Sequence, residues 1–412
     1  MISPFFPPSG VIGAKRPMNF ARHLPGLGWM PAVVALPETM GRDPSLERYV
    51  PKVPIWRGYR SGPIAWMEDL IGKGPAAHPY KAKTAPGTEG ALDRYSRYLP
   101  WVFFGARGFL HREKCEVIYV NAGPHSAQML GARLAESTGL PLVLDLRDPW
   151  SIEPYYREAR TPEANRKVDQ LEREFFQRAT RIILNTESAL EAYRSHYGGI
   201  IPAQRFAMLR SSFEPELYGP APEPPGRNGP FEILYFGHLR PAKNAQLFLS
   251  GYRLFIDEQK LAPGDAYLTT LGARTAEDDM AIVRLGLDEY TRIRPPVPLP
   301  ESRAVLGRAD LLLDLMGPEH RLQLSGKFFD YLACGRPILS VTPNEEMGQI
   351  LTETQAGERV ALDAGEIAAA LGRWYSQKRS GQEFRRNEVA VRQFEAGPAT
   401  EKLVAILAEA TS

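Results

Sequence analysis

Cysteine is nearly missing from this chain: Cys115 and Cys334 are the only two in 412 residues. A disulfide framework and a cysteine-rich metal site are thereby excluded, and reduced core thiols in a cytoplasmic protein are expected. Long apolar runs are absent too, since no stretch approaches the roughly 20 residues that span a bilayer. The amino terminus has no charged region followed by an apolar core, so it does not read as a secretion signal. An excess of one charge is also lacking. The 50 Lys and Arg against 48 Asp and Glu leave a net +2, which does not mark a nucleic-acid binder. Two nucleotide motifs fail as well. A Walker loop would need glycine where Arg321 stands and Ser or Thr where Phe328 stands. No G-x-G-x-x-G follows a strand, which argues against a dinucleotide oxidoreductase.

What is present is ordinary globular material, 43% apolar and 24% charged, in a length that suits two or three domains. Short β-branched runs alternate with helical patterns, the mark of parallel sheets covered on both faces. Strands are expected over 31–36, 117–120, 142–145 and 182–184, then over 232–236, 267–271, 311–315 and 337–341. Thr161-Pro162-Glu163 reads as a cap and first turn, with Val168, Leu171 and Phe175 at helical spacing behind it. Further helices are expected over 244–257, near 276–286, over 327–334 and, closing the chain, over 394–407. The chain begins almost at a turn, Pro4-Phe5-Phe6-Pro7-Pro8-Ser9-Gly10, so either its first strand is a stub or residues precede Met1. The architecture expected is α/β, two doubly wound Rossmann-like domains facing a cleft with a helix closing the chain. The proline-glycine run 218–230 separates them, which gives a first domain over 1–220, a linker over 221–230, a second domain over 231–385 and a helical tail over 386–412.

Ser325-Gly326-Lys327-Phe328-Phe329-Asp330 opens a short helix that stops at Gly335-Arg336-Pro337. Such an opening offers backbone N–H groups and a cation at the positive end of a helix, a seat for phosphate. One turn in, Asp330 can accept from sugar hydroxyls, so the pattern suits a nucleotide diphosphate. The same residues also suit a plain α/β crossover, with Gly335 as C-cap and Pro337 as stop. Ahead of it, Gly237-His238-Leu239-Arg240-Pro241-Ala242-Lys243 follows a buried strand and precedes a helix. His238, Arg240 and Lys243 can converge there on a diphosphate through charge-assisted hydrogen bonds. A solvated basic loop is the alternative.

Residues 41–112 break the alternation. Trp56, Trp66, Tyr95, Tyr98, Trp101, Phe103, Phe104 and Phe109 are interleaved there with Lys52, Arg57, Arg60, Arg94, Arg97, Arg107 and Arg112. Rings with cationic neighbours suit an interface with anionic lipid, and they equally suit an insertion that fills its own small core.

Taken in order, Pro7–Gly13, Leu144-Asp145-Leu146-Arg147-Asp148-Pro149-Trp150, Asn185-Thr186-Glu187-Ser188, Arg210–Tyr218, Tyr235–Asn244 and the Ser325 helix resemble the retaining GT-B glycosyltransferases of family four. These are the "group 1" transferases, and the likeness is to a bacterial branch that builds surface polysaccharides. The resemblance implies a first loop, with Gly10 and Gly13, approaching the donor phosphates. It implies a diphosphate held by His238, Arg240, Lys243, Gly326 and Lys327, and a ribose held by Asp330. On the acceptor side it points to Arg147 and Asp148, with His125 after the preceding strand as a further catalytic candidate. Two plainer roles stay open: Arg147 and Asp148 bracing each other, and His125 capping the helix that follows. The chain departs from the family at His238, where Arg is common, and at Asp330, where Glu is common and longer by roughly 1.5 Å. An earlier Glu would fall on Leu322, which leaves Glu319 or loop N–H groups as substitutes.

The implied activity is transfer of a sugar from a nucleotide diphosphate to a hydroxyl of a glycan or lipid-linked acceptor, with retention. The implied place is the cytoplasm, at the inner face of the membrane if the basic aromatic insertion touches lipid. The sugar nucleotide is a co-substrate, so no cofactor is expected, and no nucleic-acid partner. Asp145 and Asp148 are three apart and no Asp-x-Asp occurs, so no metal is expected either. Two rivals remain: a nucleotide-sugar 2-epimerase of the same fold, and a degenerate protein that only binds the nucleotide sugar.

Overall fold

The computed structural model describes residues 1–38, 42–71, 92–218, 222–223, 226–239, 244–297 and 299–412. They form two compact units, Met1–Ser212 with Ala396–Ser412, and Phe213–Glu395. Each is a parallel sheet with helical crossovers, so both halves are Rossmann-like, as the alternating pattern predicts.

In the first unit β1 (Val33–Val34) pairs with β2 (Ile55–Trp56), and β3 (Ile118–Ala122), β4 (Leu142–Leu146), β5 (Arg181–Leu184) and β6 (Phe206–Met208) follow in spatial order. Ile2 stitches the two groups together by bridging Val34 on one side and Val120 on the other. Its N–H donates to Tyr119 O at 2.7 Å, and Val34 N donates to Met1 O at 2.9 Å. Residues up to Pro4 thus lie as a strand between β1 and β3, Leu36 N donating to Pro4 O at 2.9 Å. Strand order reverses there, between Ile2 and β3. The strand expected over 31–36 is found at Val33–Val34, with Ala35 N and Leu36 N still donating to Trp56 O and Pro4 O at 2.9 Å.

The helices of this unit are α1 (Lys15–His23), α2 (Pro63–Leu70), α3 (Leu99–Arg112), α4 (Ser126–Thr138), α5 (Pro154–Glu158), α6 (Pro162–Arg178) and α7 (Glu187–His196). Thr161 caps α6 as its sequence predicts, its hydroxyl accepting from Ala164 N at 3.2 Å. The segment 41–112 is not wholly an excursion: β2 widens the sheet, and α3 is the crossover into β3. Its aromatics divide. Tyr95, Tyr98 and Phe109 are buried, while Trp66, Trp101 and Phe104 are exposed. Residues 41 and 72–91 of this segment lie outside the described residues.

The second unit orders its strands β12-β11-β10-β7-β8-β9, all parallel, from β7 (Phe231–Phe236), β8 (Ala266–Leu271), β9 (Thr291–Arg294), β10 (Leu311–Leu315), β11 (Ile338–Val341) and β12 (Gly357–Val360). Helices α8 (Ala245–Glu258), α9 (Ala276–Arg284), α10 (Leu299–Leu306), α11 (Gly326–Cys334), α12 (Glu345–Thr354), α13 (Ala364–Ser380) and α14 (Glu388–Arg392) join them. β7 lies between β8 and β10, so the direction of winding changes there.

The tail over 386–412 divides: α14 stays with the second unit and α15 (Ala396–Thr411) returns to the first. Leu403 and Leu407 of α15 are buried against Phe20, Tyr119 and Val143. Residues 213–218, read from sequence as the end of the first domain, group with the second. The reason is a backbone contact at the crossing, where Phe213 N donates to Phe394 O at 3.0 Å. Residues 219–220, and 221 and 224–225 of the linker, lie outside the described residues.

Candidate functional site

Open parallel sheets bind ligands beyond the carboxyl ends of their strands, where the winding reverses. In the second unit that place is the exit of β7 and of β10. Gly237 leaves β7 at φ 117°, and a Cβ on it would lie 3.0 Å from Lys327 Cε and 3.2 Å from Lys327 Nζ. Gly272 leaves β8 at φ 146°, and its Cβ would lie 2.7 Å from the Gly237 carbonyl carbon. Two glycines thus let adjacent strand exits run backbone against backbone, which no side chain would permit. His238 follows, with Nδ1 accepting from Ala273 N at 3.0 Å, which leaves the proton of the neutral ring on Nε2.

The helix after β10 closes on the same spot. Gly326 is its first residue, and Ser325 sits at the N-cap without a side-chain cap bond. Lys327 Nζ donates to the Tyr235 hydroxyl at 2.6 Å and stands 4.0 Å from the ring centroid. Tyr331 fastens α11 across both strands, accepting from Phe236 N at 2.9 Å and donating to Leu313 O at 3.0 Å. Asp330 is buried, and one of its oxygens accepts from the Tyr218 hydroxyl. Burial, then the Asp330 charge, pushes the Tyr218 phenol well above its usual range. A ribose hydroxyl would have to share or displace that bond. Gly237, His238, Gly326 and Lys327 are therefore brought together, and Asp330 faces Tyr218. Arg240 and Lys243 lie outside the described residues.

In the first unit the reversal falls between Ile2 and β3, and the expected residues gather there. A Cβ on Gly13 would lie 3.0 Å from Arg147 Nη1. Arg147 and Asp148 pair at 2.8 Å, each about a quarter exposed (26% and 24%). Bracing of the strand end is thus present, with both groups still reachable. His125 occupies the N-cap of α4 but makes no cap bond. Asp93 supplies the cap from a distance, one oxygen accepting from Ser126 N at 2.7 Å. The His125 ring instead stacks on Trp150, centroids 4.6 Å apart and planes 14° off parallel. Burial first, then Arg160, lowers the imidazole to about 3, so it is neutral at physiological pH. Gly10 stands apart on the exposed rim, where a Cβ would meet the Asp43 side chain at 2.9 Å.

Two buried carboxylates hold this edge in place. Asp145 accepts from Arg16 Nε at 2.8 Å and Nη2 at 3.1 Å, and Arg16 also donates to Leu209 O and Arg210 O. That ties α1 to the end of β4, two residues before Arg147. Glu172 accepts from Tyr193, Tyr197 and both donors of Ser151, which pins the turn after Trp150. Tyr193 in turn accepts from Trp150 N at 2.9 Å. Despite four donors, burial raises Glu172 to about 7. The sequence marks Tyr235 and Trp150 only as members of motifs, and Asp93, Arg16 and Glu172 not at all. One signal was available: Asp145 inside the apolar strand Leu142–Leu146 demands a cation, though not which one. Among the described residues no three His, Cys, Asp or Glu side chains cluster as a metal site, and no helix is long and apolar enough to cross a membrane.

Known structures share this fold. Alr3699/HepE of Anabaena, solved with UDP and glucose, superposes with a TM-score of 0.64 at 15% identity, over 99% of this chain and 98% of that one. The sucrose-phosphate synthase of Thermosynechococcus elongatus superposes with a TM-score of 0.65 at 13% identity, over 95% and 91%. A D-inositol 3-phosphate glycosyltransferase of Paenarthrobacter aurescens is 24% identical over 225 residues, 51% of this chain and 52% of that protein. The chain therefore spans about half the length of the curated relatives it matches. The fold is GT-B, and residues 13–210 match the family model described as the Glycosyl transferase 4-like domain.

Proposed function

We propose that this protein is a group 1 glycosyltransferase that moves a sugar from a nucleotide diphosphate to a hydroxyl of a glycan or lipid-linked acceptor, with retention, in the manner of bacterial surface-polysaccharide enzymes. The observation that carries the reading is Lys327 on the first turn of α11, beside Gly237 and His238 at the winding reversal of the second unit. Backbone N–H groups, an ammonium and an imidazole N–H at one strand exit suit a pyrophosphate. Arg240 and Lys243 are assigned to the same phosphates. UDP and glucose in Alr3699/HepE, and the glycosyltransferase name of the Paenarthrobacter aurescens relative, support a nucleotide-sugar donor.

In the transfer, the bond from the anomeric carbon to the diphosphate breaks, and the acceptor oxygen bonds to that carbon from the same face. The acceptor proton passes to the departing phosphate oxygen, so the protein need supply no strong base. Lys327, His238 and the α11 N-terminus stabilise the charge that gathers on the leaving group. Arg147 and Asp148 orient the acceptor, with the neutral His125 packed behind them. No metal takes part in this scheme.

The test is incubation with a panel of nucleotide sugars and hydroxyl acceptors. Release of nucleoside diphosphate, an α-linked product from an α-linked donor, and indifference to EDTA are expected. A changed sugar still attached to its nucleotide would instead identify an epimerase. Thermal stabilisation by nucleotide sugar with no turnover for any acceptor would reduce the protein to a binding module.

A further inference from the structure

We propose that the outward face shared by α2 and α3 seats this protein on the surface of an anionic lipid bilayer. This surface is independent of the transfer reaction and stands without it. α2 turns Trp66, Met67 and Leu70 to one side, at the spacing of a single helical stripe. In a globular protein such a stripe normally faces the core. Here Trp66 is 65% exposed, Leu70 64% and the following Ile71 64%, while Ala65 is the one residue of α2 that is buried. α3 repeats the pattern. Its Val102, Ala106, Phe109 and Leu110 are buried, and Trp101 and Phe104 point outward, Phe104 at 72% exposure.

The two stripes are continuous, because a Cβ on Gly62 at the start of α2 would lie 2.4 Å from the Trp101 ring. Their mutual setting is fixed by ion pairs at the edge, Arg60 to Glu68 at 3.1 Å and Arg97 to Glu68 at 2.9 Å. Large apolar side chains gathered on one rigid face go beyond the scattered exposures that any surface shows.

Charge identifies the occupant. Further along α3 the outward positions become basic, with Arg107, His111, Arg112 and then Lys114 all exposed. The acid among them, Glu113, pairs with Arg112 at 2.9 Å. Arg107, His111 and Lys114 also line a groove of about 890 Å³ that includes Ser137 and Thr138 at the end of α4. Apolar rings followed by a cationic band match a helix pair lying in the interface, rings at the acyl boundary and cations against lipid phosphate. The acids of this face are engaged by their own arginines, Asp69 by Arg60 and Glu113 by Arg112, which leaves a second copy little to offer the cationic band. The groove gives the phosphate a place to settle.

Flotation of the full chain with vesicles tests this. It should float with phosphatidylcholine vesicles containing phosphatidylglycerol, and stay behind with phosphatidylcholine alone. Each of Arg107→Ser and Lys114→Ser should weaken partitioning roughly fivefold. A combined Trp66→Ser, Leu70→Ser, Phe104→Ser variant should abolish it; all three sites are exposed, so an unchanged urea midpoint will confirm folding. In a brominated-lipid bilayer, Trp66→Phe should lose part of the quenching that the parent protein shows, with Trp101 on the same face keeping the rest. Failure to float with either vesicle, or equal flotation with both, overturns the proposal. So does concentration-dependent dimerisation that the triple variant abolishes, which would assign the face to a second copy.

Discussion

Replacing His125 by Phe should flatten the acid side of this protein's stability curve. An imidazole in an unfolded chain titrates near 6.5. In the fold, burial and Arg160 drive it down to about 3, with Asp148 pulling upward and Arg147 adding to the push. Between those values the unfolded chain takes up a proton that the folded ring refuses. Its contribution is therefore complete above about pH 6.5 and is lost as the pH falls toward about 3. At about pH 4.5 the unfolded ring lies two pH steps below its own midpoint, a loss of about 2–3 kcal/mol. Phenylalanine keeps the stack on Trp150 and carries no proton to lose or gain. Urea unfolding of both proteins, followed by tryptophan fluorescence near neutrality and again at about pH 4.5, isolates this ring. The variant should retain about 2–3 kcal/mol more of its neutral stability at the lower pH. Parallel losses in the two proteins would show that the ring is not held neutral, and the account of the His125 environment would fall.

Glu172 should bend the curve the other way. Its folded value near 7 lies above the ordinary carboxylate range, so stability is present in acid and is lost as pH rises through about 7. Glu172→Gln should remove that slope in the same urea series. Lys327→Ala should weaken UDP binding about 10–100-fold by loss of a charge-assisted bond, read by titration calorimetry, while Tyr235→Phe should cost less. Gly272→Ala should destabilise the second unit by about 2–4 kcal/mol, left-handed strain plus a clash with the Gly237 backbone, measured as a shift in urea midpoint.

The parts of the fold that were legible are those whose information is local. β10 is a run of Leu around one Asp, buried along its whole length, and it stands where the sequence places it. α6 and α11 announce themselves by Thr161-Pro162 at one start and Gly335 at the other stop. β9 and β12 were illegible because edge strands face water: Thr-Arg-Ile-Arg and Gly-Glu-Arg-Val show no apolar run and are mostly half-buried or exposed. The candidate site divides in the same way. Gly237, His238, Gly326 and Lys327 sit beside strands that can be seen in the sequence, so their meeting could be anticipated. Arg16 and Asp145 are 129 residues apart and Tyr218 and Asp330 are 112 apart, and nothing short-range links either pair. The role of Asp330 was harder to read for that reason, since a carboxylate's neighbours decide whether it meets a ligand or a tyrosine.

The return of α15 to the first unit has a consequence for anyone who would cut this protein in two. Residues 213–395 are a guest housed within a host made from both ends of the chain. The guest can be excised as one uninterrupted segment. The host cannot: a fragment ending at Ser212 lacks the helix that shields Phe20, Tyr119 and Val143, and it should be recovered in soluble form only when residues 396–412 are supplied, as a fusion or as a separate peptide.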